Sequence, residues 1–245
     1  MSNEAILKIA VFAAMSILGA YLLPASAKRY IQWKQAKKER KEYQNAKSLF
    51  WYIFSLLVLT LSACLAFYCL RFWEGIFIMI FSMFAVFGII VDTCIRIIGN
   101  EMLLCMFPFG IAYRLLTAPT LKSAFIGSLI AAVLMLVFFF AAHMIVYLHK
   151  GVRGVGMGDV KLSLLIGITL GVGLFGEFIL GMAVGMIVYL VFRILKSPFF
   201  IRTIFNPDNT FPLCPPIMLG FIYALFAPHI GTLAELRNLL FSKLG

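Results

Sequence analysis

The chain has 245 residues, of which 63% are hydrophobic and only 13% are charged, and its mean hydropathy is +1.02. A water-soluble domain of this size is excluded, because too few polar residues remain to cover its surface. The formal net charge of +11 would suit nucleic acid, but basic loops between apolar segments are what membrane orientation requires, so we expect no nucleic-acid partner.

The apolar segments predict an all-α polytopic membrane protein with about eight transmembrane helices. A helix needs roughly 17 to 25 apolar residues to cross the hydrocarbon layer, although the fourth and sixth candidates here are shorter and contain proline or glycine. In chain order the candidate spans are residues 5–23, closed by Pro24, then 49–70, 75–91, 102–115, 124–148, 160–175, 178–195 and 215–230.

Residues 28–47 form a basic, helix-prone segment after the first span, with eight Lys and Arg against two Glu. We interpret this segment as a cytoplasmic loop that lies on the membrane surface or projects from it. A patch that binds anionic membrane lipids is the alternative. Residues 1–48 therefore form an N-terminal unit of one span and one loop, and residues 49–245 form the main membrane-embedded domain.

The distribution of Lys and Arg predicts the orientation of the chain. If residues 28–47 face the cytoplasm, the connections on that side hold 15 of the 21 basic residues, in agreement with the positive-inside rule. The N-terminus is then outside. Asp92 ends the third span and Asp159 precedes the sixth, so two whole spans separate them and both face the cytoplasmic leaflet.

Asp159 follows a glycine-rich loop and stands at the mouth of an apolar helix. Gly156 and Gly158 just before it allow one backbone to approach another closely, which can deliver an ionisable side chain to a crowded place. A carboxylate at such a position is costly enough that function is its default interpretation. An N-cap for the helix is the simpler alternative, and Asp92 would then be only a carboxylate at a helix end.

Two carboxylates at one depth are what an aspartic peptidase needs. Held close together they cannot both ionise, so one keeps its proton while the other takes a proton from the water that attacks a peptide carbonyl. The five cysteines include no C-x-x-C pair, and no histidine stands at metal-ligand spacing. We therefore expect no metal site and no cofactor.

Three separated segments form a recognisable pattern. Residues 156–162 read GMGDVKL, and residues 92–100 place Asp92 and Arg96 before IIGN. Residues 211–220 read FPLCPPIMLG at the start of the last span. The pattern resembles that of the type IV prepilin leader peptidases, membrane aspartic peptidases with a G-x-G-D-x-K-L motif that are related to preflagellin peptidases. Gly99, which loosens the turn, stands where that family usually has proline.

The resemblance implies that residues 49–245 are an aspartic endopeptidase domain with Asp92 and Asp159 as the catalytic residues. The supporting motif positions are Gly156, Gly158, Lys161 and Asn100. It implies a bacterial plasma-membrane enzyme that cuts type IV prepilins or pseudopilins on the cytoplasmic side, after a Gly, for pilus assembly or protein secretion. Many members carry two C-x-x-C pairs after the first helix, associated with zinc and N-methylation. The loop here has no cysteine, which speaks against methyltransferase activity.

Two charged side chains near the motifs have open roles. Lys161 could act on the charge of Asp159 or contact a lipid headgroup. Glu101 could attract a basic leader, but a solvated loop charge is the simpler interpretation.

A second class of function would use the same two aspartates. An ion- or proton-coupled membrane transporter also combines intramembrane carboxylates with helices broken by glycine. No inverted repeat is visible in the sequence, and both acids lie at one face instead of at the midplane. A membrane scaffold without chemistry is the third possibility, and tolerance of substitution at both aspartates would favour it.

Topology reporters test whether the two aspartates share a face. Because the basic residues concentrate on one side, reporters fused after Lys41, Arg153 and Arg202 should report the cytoplasm, and one fused near Thr120 should report the exterior. Opposite sides for the Lys41 and Arg153 fusions would rule out an aspartate pair at one face.

Overall fold

The computed structural model describes residues 3–36, 48–69, 72–150, 156–196 and 213–229. Within these ranges the chain is almost entirely helical and contains no β-strand. Two short 3₁₀ turns, Val172–Leu174 and Ala227–His229, accompany the α-helices. The α-helices are α1 (Asn3–Ala36), α2 (Leu49–Cys69), α3 (Phe72–Ile95), α4 (Asn100–Thr117), α5 (Leu121–Lys150), α6 (Met157–Leu170), α7 (Phe175–Lys196) and α8 (Cys214–Phe226).

Five of the described helices are long and apolar enough to cross a membrane, which confirms an all-α, multi-pass membrane protein. They are α1, α2, α3, α5 and α7. Each of the eight candidate spans overlaps mainly with a different one of the described helices. However, α6 has 14 residues, which gives it a length of about 21 Å, whereas the hydrocarbon layer is about 30 Å thick. Helix α6 is therefore too short to reach both faces of the membrane, so at least one of its ends lies below the headgroups.

The prediction that Pro24 closes the first helix is wrong. Helix α1 runs through Pro24 and on to Ala36, and Ala27 and Ile31 beyond the proline are buried. Proline removes a backbone hydrogen bond and disfavours a helix interior, but burial of the continuing apolar face favours the longer helix. Residues 28–36 of the basic segment therefore belong to α1, and residues 37–47 lie outside the described residues.

The helix ends near the two aspartates also differ from the prediction by part of a turn. Helix α3 continues to Ile95, so Asp92 lies in its last turn, and α6 begins at Met157, so Asp159 lies in its first turn. The break between α6 and α7 falls at Gly171 instead of at residues 176–177. Gly171 has a φ of +69°, the left-handed conformation with which glycine commonly ends a helix.

Helix α3 is central to the packing. It contacts α1, α2, α4 and α8, and its middle and last turns are buried among them. Helix α6 packs against α4 and α5, and α7 packs against α8. Glycines allow α7 to pack closely on α8, because a Cβ added to Gly181 or Gly185 would lie 3.0 Å or less from Tyr223 or Leu219 of α8.

Candidate active site

The residues that the sequence singles out lie at one end of the helix bundle. Helix α3 brings Asp92 there in its last turn, and α4 begins there with Asn100. Helices α6 and α8 begin at the same end, with Gly156 as the N-cap of α6 and Cys214 as the first residue of α8. Contacts described below join these segments, although more than 50 residues of sequence separate the start of α4 from that of α6, and the start of α6 from that of α8.

Asp92 is buried, with 5% of its surface exposed, and it binds the start of α8. Its Oδ2 accepts a hydrogen bond from the Cys214 N–H at 3.2 Å. The first N–H groups of a helix have no acceptor within the helix, and Pro215 and Pro216 lack an N–H altogether. Cys214 thus supplies the donor that remains in the first turn of α8, and the positive end of the helix dipole favours a carboxylate there.

Asp159 is half-buried and contacts the start of its own helix. Its Oδ2 accepts a hydrogen bond from the Gly156 N–H at 3.2 Å, which is one half of a capping box. The capping role that the sequence leaves open is therefore present. It uses one carboxylate oxygen and does not exclude chemistry at the other.

The start of α6 docks on the connection between α3 and α4. A Cβ added to Gly158 would lie 3.1 Å from the Ile98 Cβ and 3.4 Å from the Ile98 carbonyl oxygen, so a larger residue would push the two segments apart. Lys161 donates a hydrogen bond from Nζ to the Asn100 Oδ1 at 3.1 Å. The sequence offers Asp159 or a lipid headgroup as the partner of Lys161, and the structure gives Asn100 instead. Lys161 and Asn100 thus tie α6 to α4.

The Asp92 and Asp159 carboxylates lie within electrostatic range of each other. Since Asp92 is buried and Asp159 is half-buried, a charge on one is weakly screened and disfavours a charge on the other. A proton on one carboxylate therefore favours a charge on the other.

Arg96 adds a positive charge to this end of the bundle. Its charge acts on Asp92, and its backbone has a φ of +55° just after the end of α3. A left-handed conformation costs a non-glycine residue about 1 kcal/mol or more, and such positions cluster at functional sites. Arg96 is part of the resemblance pattern, and its backbone strain becomes visible only in the structure.

Helix α1 contacts the first turn of α4, which the sequence does not indicate. The Tyr30 hydroxyl donates a hydrogen bond to the Glu101 Oε2 at 2.8 Å, and the Lys34 Nζ lies 3.2 Å from Oε1. Glu101 is therefore not simply a solvated loop charge, although it is about half exposed. Tyr30 and Lys34 are four residues apart and therefore lie on one face of the helix. This spacing has no meaning in the sequence if the first helix is predicted to end at Pro24.

Gly99 keeps the connection in place without a proline ring. Its φ of −75° lies within the range that proline enforces. A Cβ on Gly99 would overlap the Tyr30 hydroxyl. Tyr30 therefore fills the space that a side chain at position 99 would occupy. The expectation that glycine loosens this turn is thus offset by packing from α1.

Among the residues that the structure describes, no group of three or more His, Cys, Asp or Glu side chains could hold a metal ion. Cys94 and Cys214 are buried free thiols, and Cys64 and Cys105 are exposed ones. The groups assembled at this end therefore offer the chemistry of two carboxylates, their backbone donors and a nearby arginine.

Comparison with protein-family models, with curated proteins and with solved structures finds no match for the chain. The resemblance to the prepilin leader peptidases therefore rests on residues 92–100, 156–162 and 211–220. The structure describes the first two segments in full and the third from residue 213 onward.

Disulfide cross-linking tests the contact between Gly158 and Ile98. Their Cβ positions lie 3.1 Å apart, slightly closer than the roughly 3.5 to 4.5 Å of a disulfide, so a small backbone shift suffices. We expect Ile98→Cys combined with Gly158→Cys to cross-link in membranes under mild oxidation, as detected by mass spectrometry of the linked peptides.

The matched control combines Ile98→Cys with Gly176→Cys, because Gly176 faces open space. This pair should stay unlinked. Cross-linking of the control without cross-linking of the first pair would contradict the docking of α6 on the α3–α4 connection.

Proposed function

We propose that this chain is a membrane aspartic endopeptidase of the type IV prepilin leader peptidase kind. It removes the short basic leader from prepilins or pseudopilins, cutting after a Gly at the cytoplasmic face of the bacterial plasma membrane. One observation supports this most strongly: segments carrying the resemblance meet at one end of the bundle, with Asp92 and Asp159 in electrostatic range of each other.

The mechanism that fits this geometry uses the two carboxylates and one water molecule. The ionised aspartate takes a proton from water while the water oxygen bonds to the scissile carbonyl carbon. The protonated aspartate gives its proton to the carbonyl oxygen, which forms a neutral tetrahedral intermediate. The aspartate that gained the proton from water then protonates the peptide nitrogen, and the other aspartate takes a proton from a hydroxyl of the intermediate. The C–N bond breaks to give an amine and a carboxylic acid, and the pair again holds one proton. These steps require no metal and no cofactor.

Backbone donors give each aspartate a fixed orientation for this chemistry. The Cys214 N–H holds one oxygen of Asp92, and the Gly156 N–H holds one oxygen of Asp159. The second oxygen of each carboxylate then takes part in the proton transfers. Lys161 and Asn100 act as positioning residues, because their hydrogen bond keeps α6 beside the α3–α4 connection.

A precursor with a basic leader before an apolar helix suits a pair of carboxylates at one end of the helix bundle. Backbone groups inside a helix are engaged in hydrogen bonds, whereas the first N–H groups of a helix are unpaired and the backbone before them is accessible. A leader rich in Lys and Arg stays on the cytoplasmic side by the same rule that orients this chain. The bond between such a leader and its apolar helix therefore lies at the membrane face that we propose for the aspartates.

An ion- or proton-coupled transporter is the second candidate, because it could use the same two carboxylates. Sites of that kind lie near the middle of the membrane, between the halves of broken helices. Asp92 lies in a last helical turn and Asp159 in a first one, which favours the peptidase.

Asparagine substitutions separate catalysis from helix capping. Asparagine retains an oxygen that accepts the Cys214 or Gly156 N–H, but it cannot exchange the proton that catalysis needs. We expect Asp92→Asn and Asp159→Asn each to lower cleavage by about 1000-fold or more, with the double variant no worse, because the pair acts as a unit. The assay follows, by product mass, a peptide with a basic leader, a Gly-Phe junction and an apolar helix.

Glu177→Gln is the matched control, since Glu177 stands in the first turn of α7 at the opposite end of the bundle. It should cleave normally. Expression and thermal stability of every variant are measured alongside, so that a folding defect is recognised. Retained turnover in either single aspartate variant would overturn the proposed pair.

A further inference from the structure

A second polar feature lies at the end of the bundle opposite Asp92 and Asp159. Arg114 stands in the last turn of α4, about 21 Å along the helix axis from Asn100. Its guanidinium lies between the first turns of α5 and the break after α6, because a Cβ added at Gly127 or Gly171 would come within 2.7 Å of it. The chain thus bends around the guanidinium at a glycine with positive φ.

The Arg114 guanidinium has few partners for its donors. Its Nη2 donates one long hydrogen bond, 3.4 Å, to the Ser123 carbonyl oxygen. Its Nε is buried and has no hydrogen-bond partner among the described residues. A guanidinium carries five N–H donors, and a buried donor without a partner calls for an explanation such as a bound water or ion.

A cavity of about 380 Å³ opens beside this guanidinium. The polar side chains that line it are Arg114, Thr120, Lys122 and Ser123. Its apolar wall includes Ile126 and Ile130 of α5, which are 45% and 44% exposed. No carboxylate is among the described residues that line it. The two cations suit the phosphate of an anionic phospholipid, and the open apolar groove suits its acyl chain.

The position of this cavity in the bundle suits a lipid headgroup. Helices α4 and α6 end at this level, and α5 begins there, with its positive dipole end favouring an anion. An adjoining cavity of about 810 Å³ is lined by both Arg114 and Trp73, and tryptophan is enriched at the membrane–water interface. Arg114 therefore lies near the depth of lipid phosphates.

Glu74 is the rival partner for Arg114, because it also lines the larger cavity. Arg114 also lines the smaller cavity, whereas Glu74 does not, and Lys122 adds a second positive charge there. The smaller cavity therefore favours an external anion.

We propose that Arg114 and Lys122 bind the phosphate of an anionic phospholipid whose acyl chain lies along α5 over Ile126 and Ile130. A planar guanidinium can donate through its two Nη nitrogens to two phosphate oxygens. Lys122 contributes a point charge at the rim. Binding gives the guanidinium a charged partner at the cavity and joins α4, α5 and the α6–α7 break to one lipid molecule. The site stands apart from the proposed peptidase chemistry.

Lipid affinity of the purified protein tests this site without reference to peptide cleavage. Native mass spectrometry compares phosphatidylglycerol, which is anionic, with phosphatidylcholine, which is zwitterionic. We expect tighter binding of phosphatidylglycerol, weakened about tenfold or more by Arg114→Gln, because hydrogen bonds between charged groups are lost. Lys122→Gln should weaken it about fivefold. Lys8→Gln removes a cation of α1 that lines neither cavity and should change nothing.

Three results would overturn the proposal. They are equal affinity for the two lipids, unchanged phosphatidylglycerol affinity in Arg114→Gln and Lys122→Gln, and competition by inorganic phosphate as strong as that by the lipid. The last result would indicate a site for soluble phosphate. Because Lys122 is exposed, its variant should fold even if Arg114→Gln does not, and it then decides the outcome alone.

Discussion

The hydrogen bond from the Cys214 N–H to the Asp92 carboxylate is the contact on which this end of the molecule depends. It joins the last turn of the central helix α3 to the first turn of α8. Pro215 and Pro216 leave α8 without N–H groups at the next two positions, so loss of the acceptor would leave a buried donor unpaired, at a cost of about 1 to 3 kcal/mol. The carboxylate that we propose for catalysis is therefore also a structural acceptor.

In the proposed mechanism Asp159 would combine two roles in the same way. It caps α6 through the Gly156 N–H, while Gly158 and Lys161 hold α6 against the connection that follows α3. Capping and catalysis are thus compatible uses of one side chain. They differ in what they require, because a cap needs an acceptor oxygen, whereas water activation needs a group that gains and loses a proton.

The sequence predicts this fold best where length and hydropathy decide it, and the candidate site only in part. Hydropathy locates the helices, and the parity of spans between Asp92 and Asp159 anticipates their common end of the bundle. Tertiary contacts decide the rest: α1 passes Pro24 because its continuing face is buried, and this brings Tyr30 to Glu101. The Asp92–Cys214 contact joins residues 122 apart in sequence, and no local pattern encodes such a pairing.

The pH dependence of kcat/KM for a prepilin-like peptide tests most directly whether two carboxylates share one proton. We predict a bell-shaped profile, because activity needs one carboxylate ionised and the other protonated. The two apparent pKa values would belong to the pair and not to either residue. A profile that shows a single ionisation, or none across the stable range of the protein, would contradict the shared proton and the aspartic mechanism that depends on it.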